Sequence, residues 1–240
     1  MRDERDIRYV PRSTVFLLLA TLAAQVLLHG SQAPATGRIR PLPEAPRAEL
    51  VRALGFGDHI GIAKLAMLWL QSFDNQPGIS VPFAELDYSR LIAWLDVILE
   101  VDGLAQYPLL TASRIYAEVP DRARATAMLD FVEDAFLDDP DRRWPWLAHA
   151  VYVAKHRLHD PARALRYATT LATRATGPEV PEWARQMQIF VLEDMGEIEA
   201  AKVLLGGLLE SGRITDPHEL WFLSQRLAEL EAQAPGLRQP

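Results

Sequence analysis

The sequence predicts an all-α chain: a single N-terminal transmembrane helix followed by an α-solenoid of about four helix pairs and a terminal cap helix. Three observations carry that expectation. Residues 13–28 hold no charged side chain, as a segment facing lipid requires. A proline-rich stretch follows, with Pro34, Pro41, Pro43 and Pro46, and prolines disrupt regular helix or sheet interiors. From Ala48 onward apolar residues recur at three- and four-residue spacings with no sustained strand-like alternation.

Composition bounds the function. The chain has 240 residues, 49% apolar and 24% charged, values of an ordered protein. The body beyond the amino-terminal stretch, roughly 195 residues, suffices for one core or one continuous stack of helices. With no cysteine, disulfides, thiolate nucleophiles, iron-sulfur ligation and cysteine zinc sites are all excluded. A formal charge of −7, from 25 basic and 32 acidic residues, argues against nonspecific binding to a phosphate backbone. No nucleic acid and no cofactor is expected.

The first twelve residues, MRDERDIRYVPR, set Arg2, Arg5, Arg8 and Arg12 against Asp3, Glu4 and Asp6. The 16 residues between Arg12 and His29 would span roughly 24 Å as a helix, a little short of a ~30 Å hydrocarbon core. Arginine snorkelling and interfacial residues such as Ser13 and Gly30 can cover the difference. Three readings compete. The leading one is an uncleaved signal anchor with its amino terminus inside; the others are a cleaved export signal with Ala33 before the cut, and a buried helix. The apolar stretch is longer than a minimal signal core, and the proline-rich segment behind it disfavours burial. The expected organisation is a cytoplasmic tail (1–12), an anchor in the lipid bilayer (13–30), a tether (31–47) and a helical repeat domain (48–240). The chain is thus expected to be a single-pass inner-membrane protein with a periplasmic body.

In the body, GDHIGIAKLAMLWLQSF predicts a first helix with Ile60, Lys64, Leu65, Leu68 and Trp69 on its face, stopped by Asn75-Gln76-Pro77-Gly78. Asp87 is placed to cap YSRLIAWLDVILE, whose apolar face holds Leu91, Trp94, Leu95 and Ile98, with Asp102-Gly103 as its exit. A helix from Tyr107 holds Leu110, Ile115, Tyr116 and Val119 and runs to Pro120. Asp121 caps the next, with Ala125, Leu129, Val132 and Phe136 in register. Pro140 opens RWPWLAHAVYVAKHRLH, and Asp160-Pro161 supplies a cap and a first-turn proline for ARALRYATTLATRA. Glu182–Met195 and Ile198–Glu210 follow around Gly196. Asp216-Pro217 starts a last helix with Leu220, Trp221, Leu223, Leu227 and Leu230, whose acidic, alanine-rich end suits a terminal cap.

Ala112, Ala148 and Ala184 lie 36 residues apart in the first helices of three successive pairs, and Ala164 and Ala200 lie 36 apart in second helices. Small residues there let paired helices approach closely, and stacking buries the face that each pair leaves open. Four pairs occupy about residues 55–211. On these residues the chain resembles the tetratricopeptide-repeat or tetratricopeptide-like family over about 60–75% of its length. The resemblance is strongest in Trp144–Thr170 and Trp183–Leu209. Ala148 matches the first small position, Tyr152 or His156 the later ones, Ala164 the small residue of the second helix, and Asp139-Pro140 the Asp-Pro boundary. The step is 36 residues against about 34 in the family, and the full Trp-Leu-Gly signature is absent. The resemblance implies a protein-binding scaffold.

Chemistry-bearing patterns are sparse. His156 and His159, with Asp160, could share a helical face as metal ligands, with His149 further upstream, but Asp160 stands where a helix cap is expected. Glu85/Asp87, Asp96/Glu100 and Glu133/Asp134 lie on amphipathic helices without a cleft between them. Ser113 and Ser224 lack a nucleophile elbow, and Gly55-Phe56-Gly57 lacks the strand and the rest of a nucleotide fingerprint. Arg114, on a mostly apolar helix, is expected to pair internally with Asp96, Glu118 or Asp121, or else with an acidic group of a partner.

The six tryptophans are core anchors by default. Trp144 and Trp146 flank Pro145 and cannot share one inward direction, so one of them is the exposed-aromatic candidate. Gly206-Gly207 reads as a close helix contact or, second, a flexible break. The expected partner surface is the inner curve of the stack, with Arg114, Trp144, Trp146, His149, Tyr152, Lys155 and His156. The function expected is noncatalytic: a membrane-anchored scaffold, or an accessory subunit of a membrane-protein complex. The alternatives are a purely structural subunit without a groove and, behind it, a metal-dependent hydrolase around His149, His156 and His159.

Overall fold

The computed structural model describes residues 11–31, 40–76, 79–212 and 214–233. Among the described residues there are eleven α-helices. They are α1 (Arg12–Ser31), α2 (Ala48–Leu54), α3 (His59–Gln71), α4 (Tyr88–Val101), α5 (Tyr107–Arg114) and α6 (Arg122–Asp138), then α7 (Pro140–His156), α8 (Pro161–Arg174), α9 (Glu182–Asp194), α10 (Ile198–Glu210) and α11 (Pro217–Gln233). Among the described residues the sole extended pairing is a two-residue antiparallel ladder, β1 (Asn75–Gln76) with β2 (Ile79–Ser80). The expected all-helical class holds.

Aspartate caps set several of the helix starts. Asp87, Asp121 and Asp160 each accept a backbone N–H from the first turn of α4, α6 and α8, and Asp216 does so for α11. Each satisfies donors that a helix leaves unpaired at its start. Gly196, at φ +78, turns the chain out of α9. The expected faces of α4 and α6 are buried as a block, from Leu91 to Ile98 and from Ala125 to Phe136.

Helices pack first on their neighbours in sequence and then on the helix two places on: α4 on α6, α5 on α7, α7 on α9. Side-chain bonds repeat that order. Helices α6 and α8 are joined by Tyr167 Oη donating to Asp130 at 2.7 Å and Thr170 Oγ1 to Glu133 at 3.0 Å. The Arg157–Glu118 pair at 2.7 Å joins the end of α7 to the segment after α5, the Lys155–Asp194 pair joins α7 to α9, and the Arg226–Glu193 pair at 2.6 Å joins α9 to α11. Gly177 N donates to Asp141 at 2.7 Å, 36 residues back. Ala112, Ala148 and Ala184 are all buried at such junctions. Ala164 and Ala201 are fully buried, whereas Ala200, expected to match Ala164 at 36 residues, is exposed.

Several expectations need correction. Within the expected tether 31–47, Leu42 is buried and the Pro43 carbonyl accepts from Trp94 Nε1 at 2.9 Å, so these residues belong to the packed body. The remainder of the tether and the tail lie mostly outside the described residues, as do Ala33 and Pro77-Gly78. Helix α3 buries Ala63, Met67 and Leu70 and leaves Ile60, Leu65 and Leu68 exposed, because an almost wholly apolar segment carries no pattern that selects one face. Helix α5 ends at Arg114 instead of Pro120. There Thr111 Oγ1 bonds back to Pro108 O at 2.9 Å, a competitor of the helical ladder, and a 3₁₀ turn over Tyr116–Glu118 carries the buried Tyr116. Gly206 and Gly207 lie within continuous α10 with open space where a Cβ would stand, so they mark neither a close contact nor a break.

Among the described residues no single helix is long and apolar enough to cross a membrane; the apolar part of α1 described is Arg12–Leu28. Helices α2 and α3 together satisfy the length and composition of a span but meet at a 110° bend.

Asp74, in the turn after α3, accepts from Tyr116 Oη at 3.2 Å through Oδ2, while its buried Oδ1 has no partner. Burial pushes this carboxyl up from 3.8 to about 6, against the lowering effect of the Tyr116 bond. The folded chain therefore holds a proton that the unfolded chain has released, and Asp74 adds stability as pH falls through about 6 toward 4. His149 acts in the opposite sense, since its imidazole is held low. The comparison with Asp74→Asn isolates the carboxyl. Wild type is expected to gain stability relative to the variant between pH 7 and pH 4.5 in urea titrations; parallel profiles would reject the assignment.

Candidate functional site

Helix α7 packs against both α5 and α9. Its inward residues Leu147, Ala150, Val151, Val153 and Ala154 are fully or almost fully buried. At 3.6 residues per turn the opposite stripe falls at His149, Tyr152 and His156. Tyr152 is 52% exposed. Its ring stacks on His149 at 5.9 Å and tilts against His156 at 4.8 Å, giving a row of three rings along the helix.

His149 is half-buried between α5 and α7. Its Nε2 stands 3.6 Å from Glu118 Oε1, too far for a hydrogen bond. Burial, then the nearby Arg114 charge, holds the imidazole below its ordinary value, with Glu118 opposing. His149 is accordingly neutral at pH 7. Arg114 is exposed and makes no ion pair with Asp96, Glu118 or Asp121, its expected internal partners; Glu118 pairs with Arg157 instead. The helix end at Arg114 explains this, since the side chain points off the last turn toward solvent.

The remaining expected residues divide. Trp144 is half-buried and meets Trp183 edge-on at 5.4 Å. Trp146 faces the other neighbour, where its Nε1 donates to Gln106 Oε1 at 2.7 Å. Trp144 and Trp146 thus diverge as the intervening Pro145 requires, but both are engaged, and Pro145 lies inside α7 instead of at its entrance. Lys155 is paired with Asp194 of α9. The structure brings Arg114, His149, Tyr152 and His156 together as the accessible group.

Trp183 and Trp221 were expected in the core and are 52% and 67% exposed. A cavity of about 370 Å³ between α9 and α11 is lined by Phe190, Trp221, Phe222, Gln225, Arg226 and Glu229. Position relative to Leu223, which is buried, is the signal that identifies Trp221: two residues earlier on a helix it points away from the core. A second cavity, of about 380 Å³, lies between α3, α4 and α5 and is walled by Ala63, Met67, Leu68, Ile98, Tyr107 and Pro108.

His159, at φ +48, takes the left-handed position that ends α7, and Asp160 is occupied by the α8 cap and by Arg163 and Arg122. Among the described residues no group of three or more His, Asp or Glu is placed to hold a metal ion. Ser113 is buried and bonds to Leu110 O at 3.4 Å. No protein-family model, curated protein or solved structure matches this chain.

Proposed function

We propose that the chain is a noncatalytic, membrane-anchored scaffold of the tetratricopeptide-like kind, a helical solenoid that holds a protein partner on the surface formed by its first helices. The observation that carries this reading is the His149–Tyr152–His156 ring row, exposed at Tyr152 and His156, beside Arg114, which has no ion-pair partner among the described residues. Aromatic rings and arginine supply the large, weakly hydrated contact area from which binding hot spots are made. A cation with no internal partner selects an acidic or carbonyl group opposite it.

The solenoid reading is supported by bonds that join first helix to first helix and second to second at separations of 33 to 40 residues. The anchor reading is supported by α1, apolar on every side and exposed along its described length. At ~1.5 Å per residue, Arg12–Leu28 is a few ångströms short of a bilayer core, a gap that tilt-free snorkelling of Arg12 accommodates. A periplasmic body at the inner membrane follows from the flanking arginines.

The test is extraction of the native chain in mild detergent with mass identification of co-purifying proteins, repeated with Arg114→Glu and Tyr152→Ala. Both sites are exposed, so the variants should keep the wild-type melting temperature and lose at least tenfold of the retained partner. A native chain that stays alone under several gentle conditions, or a partner indifferent to both variants, would reject the scaffold.

A further inference from the structure

We propose that the corner between α2 and α3 rests on the bilayer surface as a second, interfacial membrane contact. This rests on the reading of α1 as an anchor. The corner is Gly55-Phe56-Gly57. A Cβ at Gly55 would stand 2.9 Å from the Asp58 carbonyl, and Gly57 has φ +95, so both glycines are needed for the turn. Between them Phe56 is held at φ +48, a conformation unfavourable for an L-residue with a bulky side chain. Its side chain is 96% exposed. Among the described residues no ring contact offsets that strain, which suits a compensating surface outside the chain.

Phe56 is not isolated. Leu50 and Leu54 on α2, and Leu65 and Leu68 on α3, are each 57–63% exposed, and together they exceed the scattered apolar exposure of ordinary surfaces. This is the amino-terminal end of the helix stack. A terminal repeat in water needs a polar outer face, and here that face is greasy.

Three observations identify lipid as the occupant. Among the described residues the α2–α3 pair together meets the length and composition of a span but is bent by 110°, a shape that suits an element lying in the interface better than one crossing the bilayer. Only nine residue steps separate Ser31 from Arg40, where the backbone is fixed by Arg40 N donating to Gln76 at 2.7 Å. Fully extended, such a connection reaches about 30 Å, so the first helices stay close to the bilayer that holds α1. Charge orients them: residues 40–76 carry four basic and four acidic side chains, whereas residues beyond 76 carry 16 against 25. An anionic membrane repels the acidic remainder and leaves the neutral corner nearest the surface. Lys64, exposed beside Leu65 and Leu68, has the long stem to reach a lipid phosphate.

The lack of native cysteine makes the test direct. Full-length Phe56→Cys, Leu65→Cys, Leu22→Cys and Val203→Cys are each labelled with a polarity-sensitive fluorophore. They are then reconstituted in phosphatidylcholine/phosphatidylglycerol vesicles whose acyl chains carry nitroxide. All four side chains are exposed, so the substitutions leave the fold intact. Positions 56 and 65 should be quenched several-fold more than position 203 and emit further to the blue. Lipid quenching at 22 but not at 56 or 65 would overturn this inference and leave the anchor standing. Protection of 56 and 65 from aqueous iodide without lipid quenching would overturn it in favour of a protein cover. Quenching at 56 and 65 without quenching at 22 would retain the interfacial contact and remove the spanning helix.

Discussion

Arg143→Ala is expected to lower the free energy of unfolding by about 3 kcal/mol, the scale for removing a buried, hydrogen-bonded charge from partners that stay buried. Arg143 is 3% exposed, the rarest environment for its type. One end of its guanidinium donates to Ala135 O, in the last turn of α6, and the other to Gly103 O at 3.0 Å in the loop between α4 and α5. Asp138, largely exposed, lies 3.4 Å away and gives partial charge compensation. Ala135 O belongs to the set of carbonyls that a helix leaves unpaired at its end, so Arg143 caps α6 from the first turn of α7 and ties both to the preceding pair. Alanine leaves two carbonyls unmet and opens space between pairs. Lysine, a point charge with a shorter reach, restores less than half. A denaturant midpoint unchanged in Arg143→Ala would reject this role.

Asp130→Ala is expected to cost about 2 kcal/mol, and the reason lies with Tyr167. Asp130 Oδ1 accepts from Tyr167 Oη at 2.7 Å, from Arg163 Nη1 at 2.6 Å, and from Arg166. The arginine pairs are partly exposed, and such pairs contribute little individually. Tyr167 is fully buried, and burial first, then the Asp130 bond, pushes its phenol well above the ordinary value. Removing the carboxylate strands that hydroxyl. Tyr167→Phe should therefore be nearly neutral when added to Asp130→Ala, and costly alone. A double-mutant cycle giving additive losses would show that the two side chains are not coupled.

Neither role was legible beforehand, for a definite reason. Arg143 and Asp130 occupy solvent-like positions in the local pattern, and what buries or engages them arrives from 33 to 40 residues away. Local signals were legible. Aspartate followed by a helical run marked four starts, and the faces of α4 and α6 followed from three- and four-residue spacing because polar residues occupied their opposite sides. Helix α3 failed by the same logic: with apolar residues all round, the choice of Ala63, Met67 and Leu70 is made by α4, which sequence periodicity cannot see. In the site, His149, Tyr152 and His156 were recognisable as one stripe of a helix. Trp144, Trp146 and Lys155 shared its neighbourhood in sequence, yet neighbouring helices claim them. Trp183 and Trp221 were missed because tryptophan is taken as an anchor unless a buried neighbour fixes the helix phase.

The buried side chains fall into two clusters. One runs from Leu42 to Ala184 and Val191, and the other gathers Ile189, Leu192, Ala201, Leu205, Ile214, Leu223 and Leu230. The second is far smaller and draws on α9, α10, α11 and Ile214 in the loop between the last two. Helix α9 contributes to both clusters, so α10 and α11 are expected to behave as a separable foldon whose amides exchange through local opening while the larger cluster stays shut. Trp221 and Phe222 sit on that foldon, so a ligand held there would be released by fraying of the carboxyl end without global unfolding.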